Sequence, residues 1–162
     1  MRQVKGAPSS LEPADRLERL YREQGARMWR AVLAYAGDPE VASDAVAETF
    51  AQALRRRDAI RDPKRWVWRT VFRVAAGELK TRRRSLQLSV EGVYEMEEPA
   101  RELVAALGRL SERQRAAVVL HHAAGHPIRE VAAILGSTPG AVKVHLLRGR
   151  RHLRELLEER DA

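Results

Sequence analysis

The chain has no cysteine. That removes disulfides, thiolate nucleophiles and cysteine-type zinc sites, and it suits a reducing compartment. No stretch approaches the ~20 apolar residues of a membrane span, and the start, MRQVKGAPSS, lacks the hydrophobic run of a signal peptide. The expectation is a cytoplasmic, nucleoid-associated protein. Glycine loops that cradle phosphates are missing too: neither GxxxxGKS/T nor GxGxxG occurs. Lysine is scarce. Arginine makes up 26 of the 30 basic residues, and against 22 acidic ones the formal net charge is +8. Such a balance favours an anionic partner and guanidinium forks on phosphate, with nucleic acid ahead of membrane.

A length of 162 residues allows one domain or two small ones. Charge is unevenly placed. Residues 1–84 carry 19 basic and 11 acidic groups, residues 85–100 none and four, and residues 101–162 11 and seven. Two basic blocks therefore flank an acidic connector.

Residues 1–12 are polar and read as a disordered start. Helical spacing then holds across Pro13 to Ala36, where Gly25 marks an expected bend or break and Gly37 the end. Asp38-Pro39 supplies a cap and a first-turn proline for a second helix, with Ala42, Ala45, Val46, Thr49, Phe50 and Ala53 inward and Asp44, Glu48 and Gln52 on the other face. A short basic loop, RRRDAIRD, precedes a third helix started by Asp62-Pro63. Its cations Lys64, Arg65, Arg69, Arg73 and Lys80 are interleaved with Trp66, Trp68 and Phe72. Cations for a phosphate backbone beside flat rings suit an unstacked strand, although core packing accounts equally well for Trp68 and Phe72. Residues 85–99 lose helical period and read as a linker, in which Leu86 to Tyr94 allow a short strand.

The second block, residues 100–160, ends in the clearest signal of the chain. Ser111 and Gln114 make a capping box for one helix. Ile128, Val131, Ala132 and Leu135 then recur at i, i+3, i+4 and i+7 on a helix that Pro127 starts at its first position and Gly136 closes. Thr138-Pro139 opens another helix with Val142, Leu146, Gly149, Leu153, Leu156 and Leu157 on one face and Lys143, Arg148, Arg151 and Arg154 on the other. This is a helix-turn-helix whose second helix has a one-signed outer face, suited to a major groove; the plainer alternative is a solvated amphipathic helix. His121, His122 and His126 lack metal-ligand spacing, since the first two diverge by about 100° on an α-helix. Asp44 and Glu48 sit one turn apart with no nucleophile nearby. The chain thus reads as an all-α binding protein of two small helical domains, not an enzyme, with no metal or cofactor.

The whole arrangement resembles the extracytoplasmic-function sigma factors of the sigma-70 family. The likeness rests on ASDAVAETFAQAL (42–54), on DPKRWVWRTVFRVAAGELKTRRR (62–84) and, most specifically, on LSERQRAAVVLHHAAGHPIREVAAILGSTPGAVKVHLLRGRRHLREL (110–156). The resemblance implies a protein that joins core RNA polymerase and directs transcription initiation at promoter DNA. It implies a domain over residues 13–84 for polymerase and the -10 element, and one over 100–160 for the -35 element. Thr138, Ala141, Lys143, Val144, His145, Arg148 and Arg151 would then meet the -35 duplex. Arg57, Asp58, Ile60, Arg61 and Lys64 would line a loop for a flipped -10 base, while Arg65, Trp66, Arg69, Arg73 and Lys80 would follow the strand. Asp44, Glu48 and Gln52 would face polymerase. An anti-sigma factor is the family's usual further partner, though no residue here specifies one. A stand-alone helix-turn-helix regulator with a helical dimerisation or sensing domain is the alternative.

Overall fold

Three helices begun by proline make the first half of the molecule. In a computed structural model that describes residues 12–85 and 96–162, side chains of 83–85 excepted, α1 spans Pro13–Ala36, α2 Pro39–Arg56 and α3 Pro63–Ser85. Proline at the first helical position costs nothing, because the N–H it lacks would have no intrahelical partner. Asp38 caps α2 by accepting from the Glu40 and Val41 amides at 2.8 and 3.4 Å. Asp62 does the same for α3 through the Arg65 amide at 3.1 Å. Helix α1 runs unbroken through Gly25, contrary to the bend expected there. The glycine is buried, and the Tyr21 ring lies 3.4 Å from where its Cβ would stand. That ring in turn meets Phe50 of α2 edge-on at 5.1 Å. Helix α2 also runs two residues into the expected basic loop, which is tightened to a 3₁₀ turn at Arg57–Ala59.

The second half comprises α4 (Glu98–Gly108), α5 (Glu112–Val118), α6 (Ile128–Leu135) and α7 (Pro139–Asp161). Ser111 caps α5 through the Gln114 amide at 3.2 Å. Helix α5 then continues as a π-helical turn, Val119–Ala123. On that turn the rings of His121 and His122 meet edge-on with centroids 4.8 Å apart. Pro127 is the N-cap of α6 rather than its first residue. Gly136 takes the left-handed conformation at φ 62°, and Thr138 caps α7 through the Ala141 amide at 3.2 Å. No strand occurs among the described residues; the possible strand at 86–94 lies outside them, as does nearly all of the start expected to be disordered.

One apolar core runs through both halves, from Leu17, Met28, Val32 and Val71 to Leu120, Val131 and Leu146. Trp68, 1% exposed, and Phe72, 5% exposed, belong to it, so neither ring is a surface for a base. At the seam the Trp68 ring meets the His126 ring edge-on at 4.4 Å. The buried Arg115 donates from Nη1 to the Tyr35 carbonyl at 3.1 Å and from Nη2 toward the Gly108 and Leu110 carbonyls, both at 3.4 Å. Its guanidinium also lies over the Tyr35 ring, 5.1 Å from the centroid. Arg27 of α1 donates to the Ala124 carbonyl, just past the π turn. The Arg115–Tyr35 and Arg27–Ala124 bonds thus cross the seam, each half supplying a carbonyl to a cation of the other, while Arg115 Nε and His126 Nε2 are buried without a hydrogen-bond partner.

Candidate nucleic-acid interface

The outer face of α7 is assembled by local chemistry. The Thr138 cap fixes where the helix starts, and the inward stripe of Val142, Leu146, Gly149 and Leu156 fixes its rotation. At Gly149 a Cβ would stand 2.9 Å from the Val118 Cγ2 of α5, so only glycine lets the two helices approach this closely. With that rotation set, Thr138, Lys143, Val144, Arg148 and Arg151 are exposed and Ala141 is half-exposed. Small and cationic side chains on one open face can read base edges and phosphates in a major groove. Leu147 shares this face at 54% exposure. It was missed in the sequence although its position, three after Val144 and four after Lys143, places it there. His145 sits apart from the open face. It is half-buried and lines a cleft shared with Arg69 and Arg73 of α3.

Helix α3 presents a second cationic surface. Lys64, Arg65, Arg69, Arg73 and Lys80 are exposed, and Trp66 is half-buried with the Arg56 guanidinium 6.0 Å from its ring centroid. Trp66 is therefore the one ring of this helix still able to meet a base. In the preceding loop Arg57, Asp58 and Arg61 are exposed, whereas Ile60 is half-buried and packs on the core. Arg57 has φ 33°, the one positive φ outside glycine among the described residues. Such backbone strain is held only where surrounding structure over-determines it.

The acidic face of α2 is partly neutralised from within. Gln52 Nε2 donates to Glu48 at 2.9 Å and Arg55 does so at 3.1 Å. The Gln52 bond, aided by Arg55, holds the Glu48 carboxyl below its ordinary range against a smaller opposing effect of burial. Asp44 is exposed and lies 3.8 Å from Arg82, which also reaches Asp38 at 2.8 Å and Glu40 at 3.4 Å. Burial pushes the nearby Glu78 carboxyl up, with Asp44 adding to the shift. Among the described residues no group of histidine and carboxylate side chains is placed to hold a metal. No described helix is long and apolar enough to cross a membrane.

Residues 100–153 match the family model described as sigma-70, region 4. The ECF RNA polymerase sigma factor BldN of Streptomyces coelicolor (strain ATCC BAA-471 / A3(2) / M145) is 27% identical over 163 residues. The match takes in 90% of this chain and 62% of that relative, so the chain spans less than two thirds of its length. Among solved structures, CnrH in complex with the cytosolic domain of CnrY superposes with a TM-score of 0.73 at 23% identity, over 90% of each chain. The sigma factor RpoE in complex with the anti-sigma factor NepR from Bartonella quintana does so at 0.69 and 22% identity, over 90% of this chain and 96% of that one. At these identities the structures speak to the fold, and coverage of this extent includes both halves. The helix-turn-helix is thus similar to sigma-70 region 4, the chain over most of its length is similar to the ECF sigma factor BldN, and its fold is that of CnrH and RpoE.

Proposed function

We propose that the chain is an RNA polymerase sigma factor that directs core polymerase to promoters and starts transcription there. The observation that carries this is the segment matched to sigma-70 region 4: it folds as a capped helix-turn-helix whose second helix exposes Lys143, Val144, Arg148 and Arg151 on one side. Domains over residues 13–84 and 100–160 share the work. Helix α7 enters the major groove of the -35 element. Arg57 to Lys64 and the outer face of α3 hold the -10 strand, with Trp66 as the stacking surface. Asp44, Glu48 and Gln52 meet polymerase. Two proteins of this fold were solved with partners bound, one of them an anti-sigma factor, and an anti-sigma partner is proposed for this chain on that likeness.

The two grips abut in the present arrangement. Arg69 Nη2 lies 3.4 Å from where a Cβ on Gly136 would stand, so α3 touches the turn of the helix-turn-helix. Elements named -10 and -35 are about 25 base pairs apart, roughly 85 Å of straight B-form DNA. Engagement of both therefore requires the seam to open.

Run-off transcription with core polymerase on a pool of genomic templates tests the proposal. Promoter-dependent transcripts are expected, and their absence overturns it. Tight, specific duplex binding without polymerase would instead favour the stand-alone regulator.

A further inference from the structure

Closing the seam gathers cations from both halves around one cleft of about 380 Å³. Arg69 and Arg73 enter from α3, Arg113 from α5 and His145 from α7. The three arginines are exposed, and among the described residues none of them has an ion pair. The lining holds a single carboxylate, Glu112. Bringing like charges together opposes closure, and an anion between them reverses the sign of that contribution.

We propose that this cleft binds a compact polyvalent anion of the di- or triphosphate class and that the anion locks the two halves together. Three points set the ligand's chemistry. Guanidinium forks match phosphate oxygens in pairs, which suits a ligand with several such oxygens. The volume lies within the range of about 300–1,000 Å³ usual for small-ligand sites. Tyr35 and Phe72 form the floor, but both are buried in the core, so no open ring is offered to a base and recognition falls on the phosphates. Because Arg69 and Arg73 belong to the outer face of α3 proposed above to hold the promoter strand, the anion and the promoter exclude each other. This last consequence rests on the sigma-factor proposal; the binding site does not.

The absence of cysteine allows a clean test on the full chain. Ala47→Cys and Glu158→Cys, both at exposed positions on opposite halves, carry a fluorescent donor and acceptor. Inorganic tripolyphosphate should raise energy transfer and melting temperature together, saturably, while sodium chloride at equal ionic strength should not. Mass action raises the melting temperature even if the free chain is already fully closed. Arg113→Gln, at an exposed residue outside the proposed DNA contacts, should raise the half-saturating concentration about tenfold, as expected for losing one charged hydrogen-bonded contact. A matching response to ATP extends the site to any triphosphate, and a response to tripolyphosphate alone restricts it to the free chain. The site is overturned if tripolyphosphate leaves the melting temperature unchanged, if salt reproduces its effect, or if Arg113→Gln responds as the parent does. Neither readout uses polymerase or promoter, so a failed transcription assay and a failed titration remain distinct results.

Discussion

Helices α3 and α7 are both 23 residues long, both carry a row of arginines, and yet they bear different burdens. Helix α3 buries Val67, Trp68, Thr70, Val71, Phe72 and Ala75 and packs against α1, α2 and α6, so it is a wall of one half and part of the seam with the other. Helix α7 buries only Val142, Leu146, Gly149 and Leu156, and its neighbours α4, α5 and α6 all belong to its own half. An amphipathic basic helix can thus be a keel or an outrigger. The difference lies in what covers the apolar face, since the charged faces look alike.

The contrast can be broken most directly at Trp68. Trp68→Ala removes a side chain that is 1% exposed and touches both halves, and thermal or urea melts should show a loss of about 3–5 kcal/mol. A loss confined to the first half, seen as unchanged hydrogen exchange around His126, would deny α3 its role at the seam. Gly149→Ala is the counterpart on α7. Its Cβ meets Val118 at 2.9 Å, so about 1–3 kcal/mol of strain is expected, with faster exchange in α5 and α7 and none in α1 or α2.

Arg115→Met tests the seam itself. It leaves the carbonyls of Tyr35, Gly108 and Leu110 without this donor, which should cost about 1–3 kcal/mol. Energy transfer between labels on the two halves should fall at the same time; a destabilised chain that stays closed would show that Arg115 braces α4 and α5 only. Lys143→Ala concerns the outer face alone. Folding stability should change by less than about 0.5 kcal/mol, while the salt dependence of DNA binding by the holoenzyme should lose about one unit of slope. An unchanged slope would take Lys143 out of the interface.

The smallest effect expected is a pH dependence at the seam. His126 is 3% exposed and its Nδ1 lies 2.9 Å from a Glu130 oxygen. With the carboxylate ionised that bond needs the proton on Nδ1. Burial pushes the ring's pKa down, and the cations Arg27 and Lys64 add to this, while the Glu130 bond opposes it. The unfolded chain, titrating near 6.5, then takes up a proton before the folded one does. His126 contributes its full stability above about pH 6.5 and loses it as the pH falls from there toward the lowered folded value. Melting temperatures of the parent and His126→Gln should therefore converge on acidification from about pH 7.5 to 5.5. A constant gap would remove His126 as a contributor.

Much of this molecule is written in short-range signals. Asp38, Ser111 and Thr138 cap the helices expected of them, because a cap needs only an oxygen and an amide two or three residues apart. The faces of α7 follow from the 3.6-residue period, and the same arithmetic would have found Leu147. Gly25 misled because a glycine that admits a close ring and a glycine that breaks a helix look alike until Tyr21 is placed.

By itself the sequence determined the helices, their order, their two basic faces and the family resemblance, all of which depend on neighbours within about one or two turns. Only the tertiary structure decided that the two halves share one core, that Trp68 and Phe72 lie inside it, and that Arg69, Arg73, Arg113 and His145 meet at a single cleft. The contacts that settle this join Arg115 to Tyr35, Arg27 to Ala124 and Trp68 to His126. Each spans more than 50 positions of the chain, and at that range no periodicity or cap carries information. What selects the partners is the shape of the buried surfaces once the helices exist.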